Sequence, residues 1–407
     1  MYRLNQKDIK TFTAISVLLL LCACGCHTRS DQNTQEEHRS QQAFSDQPIS
    51  DYQVKLLQQA FDTATAIPVY PHLKTRSRKQ ADVVAACLQL DQPVLAQRYC
   101  EKIDSENWRR GLAYGELADY CAEHGYPDQA LLSLDRVQDV IHTLEEDLQP
   151  DEVSWRRDSL KSMIARTRYK LKKNKQTLKQ EHDTSLFEQQ RKALDESLKV
   201  EGFEGIKSAL YLYTELYDRH YEDTERRILI ENKITTSWQK MPVFVRLELL
   251  AALAQTALNH SDAETSLHLV NDAQVFLDDY EWNMEEYLPR AALIAKLRFQ
   301  AGDMEKAKAD IDALNSLFDE KGSEIMGIFR ADVLLALAET YASMNNIPAA
   351  LSVYKKAVKE GGNNQNARPR AEDLSSVCCS IAENGIEPDE ALWVQIRTIH
   401  EGLGDPW

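Results

Sequence analysis

The sequence predicts an all-α chain, a solenoid of antiparallel helical hairpins preceded by a short leader and a polar tether. Three observations predict it. From Asp51 onward apolar residues recur at three- and four-residue steps without sustained two-residue alternation, which is the period of an amphipathic helix and not of a strand. A turn signature then returns at fixed internal spacing, as stacked helical repeats require. Composition agrees: 407 residues hold only 14 Gly and 12 Pro, while Ala, Leu, Glu, Gln and Lys recur throughout.

The first 26 residues read as an export leader. Arg3, Lys7 and Lys10 give a basic start, and Thr11 to Leu21 form an apolar stretch. That stretch is too short for a hydrocarbon core of ~30 Å, which needs about 20 helical residues. The string Leu21-Cys22-Ala23-Cys24 resembles the lipobox of bacterial lipoproteins, with a small residue just before the cysteine and Leu three places before it. The resemblance implies a signal peptide over 1–23, cleavage before Cys24, and a diacylglycerol on the Cys24 thiol. Cys22 departs from the small or hydroxyl residue usual at its place, and a second register would modify Cys26 instead. Several acyl chains would hold the protein to a membrane, each buried CH₂ contributing about 0.8 kcal/mol. Gly25, where an Asp would mark inner-membrane retention in the proteins it resembles, favours the outer membrane. The expected place is therefore the bacterial cell envelope, lipid-anchored.

His27 to Ser50 is rich in Gln, Ser, Asp and Glu and has little to bury. Together with the lipidated cysteine, 24–50 is predicted to be a disordered linker. Stretched out, His27 to Ser50 would reach about 80 Å.

From residue 51 the helices are divided by breakers: Asp91-Gln92-Pro93, Gly125-Tyr126-Pro127, Ala301-Gly302-Asp303 and Asn345-Asn346-Ile347-Pro348. Around them a signature repeats. An apolar or Leu-Ala-like pair is followed, seven residues after its second member, by a turn residue, and five further on by a small residue. Val83-Val84, Asp91 and Ala96 fit it, as do Leu117-Ala118, Gly125 and Ala130. So do Leu253-Ala254, Ser261 and Ser266; Ile294-Ala295, Gly302 and Ala307; and Leu337-Ala338, Asn345 and Ala350. Two helices that cross closely need small residues at the crossing, and the turn needs a residue that tolerates unusual backbone angles. The pattern resembles the tetratricopeptide repeat, and the first two copies are 34 residues apart, the period of that family. Later copies are spaced 41 and 43 residues. The resemblance implies a right-handed α-α superhelix over 51–407, with repeats near 75–105, 107–145, 242–279, 286–318 and 325–359. Residues 150–240 are helical but fit poorly, as degenerate repeats or an inserted pair. Residues 366–403, with Ile381-Ala382 and Ala391, look like capping helices.

The net charge of −16 argues against a nucleic-acid binder, which would need a basic face. No HExxH, GxSxG, phosphate loop or EF-hand loop is present, so neither catalysis, cofactor nor metal is expected. The eight cysteines contain no CxxC pair. In the register that the resemblance implies, Cys87 and Cys100 would face each other within one hairpin, as a disulfide or as two small buried side chains; Cys121 repeats the Cys87 position and favours packing.

Two sets of residues are candidates for binding. A basic stretch runs through Arg156, Arg157, Lys161, Arg166, Arg168, Lys170, Lys172, Lys173, Lys175 and Lys179. It reads as a dock for an acidic partner or as a solvated helix paired with acidic neighbours. The resemblance places Asp119, Glu123, Gln255, Asn259, Lys296, Gln300 and Glu339 on a concave surface made by the first helix of each pair. Such a surface implies a protein or peptide partner, so an envelope scaffold is expected. The alternative is a lipoprotein that captures a glycan or peptide for uptake.

Overall fold

A computed structural model describes residues 44–104, 108–147, 150–175, 184–198 and 203–407. The leader, Cys24 and the linker up to residue 43 lie outside the described residues. Among the described residues every regular element is helical and none is a strand. No described helix is long and apolar enough to cross a membrane.

The chain divides into two compact units. The first begins with α1 (Asp51–Ala66), α2 (Val69–Gln89), α3 (Pro93–Lys102), α4 (Trp108–Glu123), α5 (Pro127–Asp147) and α6 (Pro150–Lys175). The second holds α7 (Thr184–Ser197), α8 (Phe203–Arg219), α9 (Thr224–Ser237), α10 (Val243–Asn259), α11 (Ala263–Asp278), α12 (Met284–Gln300), α13 (Met304–Lys321) and α14 (Gly327–Ser343). Helix α15 (Ile347–Gly362) begins in the second unit and ends in the first, which α16 (Ala367–Glu383) and α17 (Glu390–Glu401) complete.

The five signature turns share one backbone device. Asp91, Gly125, Ser261, Gly302 and Asn345 all have positive φ, at 54°, 82°, 61°, 98° and 57°. The residue after each donates its N–H five positions back: Gln92 to Cys87 at 2.9 Å, Tyr126 to Cys121 at 2.8 Å, Asp262 to Ala257 at 2.8 Å, Asp303 to Arg298 at 3.1 Å, and Asn346 to Tyr341 at 3.0 Å. This closure satisfies the last carbonyls of one helix while reversing the chain into the next. The small residues five places on, Ala96, Ala130, Ser266, Ala307 and Ala350, are fully buried, as are the apolar pairs before the turns. Prolines follow the same logic: Pro93 and Pro127 each open a second helix, where a missing N–H costs nothing.

A sixth closure sits at Gly385, with φ 62° and the N–H of Ile386 donating to Ile381 at 3.2 Å. Counting seven back gives Val377-Cys378, both buried. The repeat register at the C-terminal end therefore runs through this pair, one helical turn earlier than Ile381-Ala382. The turn between α8 and α9 closes differently. His220 to Asp223 contain no positive φ, and Asp223 caps α9 by accepting from the Arg226 N–H at 3.1 Å. The N–H groups of His220, Tyr221 and Asp223 bond instead to the carbonyls of Leu216, Asp218 and His220, so the chain turns without a left-handed residue and the signature is missing there.

In each unit the first helices of successive hairpins pack side by side: α2 on α4 and α4 on α6 in one, α8 on α10, α10 on α12 and α12 on α14 in the other. They run parallel. Gly111 meets Leu160, Gly115 meets Met163 and Asp119 meets Thr167, so positions rise together along α4 and α6. At Gly115 a Cβ would lie 2.5 Å from the Met163 methyl, so a larger residue there would make the Met163 side chain shift.

Contacts in the first unit are not confined to neighbours in sequence. Helix α16 packs on α1 and on α2. Along α1 the partners fall as the numbering rises: Tyr52 Oη donates to Gly385 O at 2.8 Å, Gln53 Nε2 to Ala382 O at 2.8 Å, and Ala60 O accepts from Ser375 Oγ at 3.1 Å. This is the antiparallel relation of a hairpin, made without a connecting turn. Against α2 the numbering rises together, with Arg78 bonded to Glu372 and Lys79 Nζ to Ser376 Oγ, both at 2.5 Å. Helix α16 thus takes the first-helix place and α1 the second-helix place in a hairpin assembled from the two ends of the chain.

Residues 44–50, within the segment read as a linker, have no regular secondary structure and are bonded to the folded unit: the Gln47 N–H donates to Asp91 O at 2.9 Å, and the Asp46 carboxylate caps α3. Low apolar content marks a segment with no core of its own, and here the neighbouring turns supply the partners.

Candidate functional site

The two sets of candidate residues meet in the first unit. Glu116, Asp119 and Glu123 lie three and four apart on α4, so they form one stripe. The facing positions of α6 are Arg166, Thr167 and Lys170. Asp119 accepts from Arg166 Nη2 at 2.9 Å, from Lys170 Nζ at 2.8 Å and from Thr167 Oγ1 at 3.0 Å. Lys170 also bonds Glu123. Asp119 and Glu123, expected to face a partner, are thus bonded to cations of the neighbouring first helix. Glu116 sits above them; burial pushes its carboxyl up to about 7, with Arg166 and Arg109 pulling the other way.

The rest of the basic stretch divides. Arg168 and Lys161 are exposed, and Arg156 lies over the Trp108 ring at 5.8 Å. Lys172, Lys173 and Lys175 fall within α6, but their side chains lie outside the described residues, as does Lys179 altogether.

In the second unit the candidate residues occupy matched places on parallel helices. Gln255, Lys296 and Glu339 each follow the buried pair of α10, α12 and α14 by one position, and all three are half-buried. Asn259 and Gln300 lie four further on and are exposed; Gln255 Nε2 donates to Asn259 Oδ1 at 3.2 Å. Two positions before the second member of each pair stand Ala252, Leu293 and Ala336, also half-buried, so an apolar row runs beside the polar one.

His260 stacks on Tyr221, ring centroids 4.4 Å apart, with Nδ1 2.9 Å from Glu222 and Nε2 3.2 Å from Asp218. His268 lies 3.4 Å from Asp272 on its own helix. Among the described residues no group of three or more His, Cys, Asp and Glu is placed to hold a metal. The signal that could have located His260 is its place at the end of α10, one residue before the left-handed Ser261.

Cys87, Cys100, Cys121, Cys378 and Cys379 are buried and form no disulfide among the described residues. Burial raises the Cys87 and Cys100 thiols well above their ordinary range and lifts Cys121 and Cys378 to about 12. Such thiols are poor nucleophiles, since the thiolate is the reactive form. Between α7 and α9 a cleft of ≈ 280 Å³ is lined by Arg191, Leu229, Asn232, Lys233 and Thr236. Its two cations are bonded to Asp195, at 3.2 Å and 2.5 Å. No protein-family model matches the chain, and no curated protein resembles it in sequence.

Proposed function

We propose that this chain is a lipid-anchored protein of the bacterial envelope whose tetratricopeptide-like hairpins form a right-handed superhelix that holds a segment of another protein. The matched row Gln255, Lys296 and Glu339 carries the reading. Side chains at one register place on parallel helices present donors and acceptors at regular intervals, which suits the backbone of an extended guest. The anchor rests on the leader and Cys24. A photo-crosslinking residue placed at Asn259 or Gln300 in the full chain should form adducts with a discrete envelope protein, while one at the exposed Val275 of α11 should not. Equal labelling at all three places would sink the reading. Cys24→Ala should release the chain from the membrane fraction; if Cys26→Ala does so instead, the second lipobox register is the right one.

One observation favours the glycan-capture alternative. On the loop before α12, Tyr280 is 53% exposed and its ring lies 6.2 Å from that of Trp282, which Arg290 covers at 4.8 Å. Exposed aromatic faces suit the apolar face of a sugar ring. Quenching of tryptophan fluorescence by envelope glycans, lost in Trp282→Ala, would support this reading over the scaffold.

A further inference from the structure

The turns after α2 and α4 form an edge that already holds a peptide. Its occupant is the chain's own segment Phe44-Ser45-Asp46-Gln47. Asp46 Oδ1 accepts from the N–H of Val94 at 2.7 Å and of Leu95 at 3.3 Å. Pro93 opens α3 without an N–H, so these are the first donors that the helix start can offer, and the helix dipole favours an anion there. The main chain is bridged on both sides of Gln47. Its N–H donates to Asp91 O at 2.9 Å, and Gln92 Nε2 donates to its carbonyl at 2.6 Å. Phe44 meets the Tyr126 ring edge-on, centroids 5.5 Å apart at 81°.

The site is built rather than incidental. Gln92 and Tyr126 are only 4% and 8% exposed, and they hold the same register place, directly after the left-handed residue, in consecutive hairpins. At the other three signature turns this place carries Asp262, Asp303 and Asn346, shorter side chains that offer no ring. Asp91 is fixed from a third side, its Oδ1 accepting from Tyr120 Oη at 2.8 Å.

We propose that this edge is a peptide-docking site that selects a segment with an aromatic residue two places before an Asp, and that residues 44–47 keep it closed in cis. The site is distinct from the first-helix row and does not depend on it. Phe44 and Asp46 supply side chains to it, and Gln47 is held by its backbone. A partner segment of the same chemistry would displace the resident one and free residues 44–50, lengthening the tether by about 25 Å at full stretch.

The test uses the full chain carrying Phe44→Ala and Asp46→Ala, with a labelled peptide of residues 42–50 as probe. The variant should bind the peptide at least about tenfold more tightly than the wild-type chain, whose site is filled by a tethered copy at high effective concentration. A peptide with Asn in place of the Asp should bind far more weakly. A variant that melts as the wild type does but binds no peptide, or binds both peptides alike, overturns the proposal. Should the variant not fold, amide exchange in the wild-type chain decides: protected Gln47, Val94 and Leu95 amides support it, and exchange at the rate of free amides overturns it.

Discussion

Gln53 donates its side-chain amide to the carbonyl of Ala382 at 2.8 Å, across 329 positions of sequence. The bond belongs to the hairpin that α1 and α16 make without a shared turn. Leu56, Leu57, Ala60 and Ala64 of α1 are fully buried, and α1 packs on α2 and α16. Ser375→Leu should overpack this crossing and remove the bond to Ala60, costing about 1–3 kcal/mol. Limited proteolysis checks it: cleavage should appear first within 51–66, far in sequence from the substitution.

The Asp119 ladder predicts which cations of α6 matter. Lys170→Glu sets a third carboxylate against Asp119 and Glu123, and should cost about 1–2 kcal/mol in urea melts. Arg168→Glu, at an exposed place on the same helix, should stay within about 0.5 kcal/mol of wild type. Equal effects would show that α6 is held by its apolar residues alone.

Glu116 makes stability depend on pH in a fixed direction. Its folded-state carboxyl titrates near 7 because burial disfavours the charge, while unfolded it returns to 4.5. Between those values the folded chain binds the extra proton, so this group's contribution falls as pH rises from 4.5 to 7 and levels off above. Glu116→Gln should flatten that part of the profile and raise stability at pH 8, on the order of 2 kcal/mol. Urea midpoints across pH 5 to 8 measure it.

The left-handed turn residues respond in opposite ways. Gly302 has φ 98° with open space around it, so Gly302→Ala should cost about 1 kcal/mol through backbone strain alone. Ser261 carries a Cβ at φ 61° already, and Ser261→Gly should be neutral or stabilising by up to about 0.5 kcal/mol. Thermal melts of the two variants compare them directly.

Arg298 is 1% exposed and draws on three partners: Asn271 Oδ1 at 2.9 Å, Asp310 at 3.4 Å and Asp303 at 3.7 Å. Removing one carboxylate leaves a buried charge short of compensation, so Asp310→Ala should destabilise by about 2–4 kcal/mol. Arg298→Met removes the charge and keeps most of the volume, and should cost less. The reverse order in denaturant melts would show that the guanidinium itself secures α11, α12 and α13.

The helical class and the places where helices end were legible in the sequence because both are local. A three- to four-residue apolar period permits no strand, and a chain reversal by positive φ selects Gly, Asn, Asp or Ser within a few residues of a buried pair. Where the chain turns through backbone bonds without a left-handed residue, as at His220 to Asp223, that spacing is missing. At the C-terminal end it settled on Ile381-Ala382, since Val377-Cys378 lacks the Leu-Ala look though it occupies the place. What faces what was decided by tertiary structure. Asp119 and Glu123 have the composition of a free polar surface and are bonded to Arg166 and Lys170; Phe44 to Gln47 have the composition of a tether and are docked. Periodicity reports which side of a helix is buried, but the partner comes from segments tens or hundreds of residues away, whose approach is governed by packing and loop closure rather than by local preference.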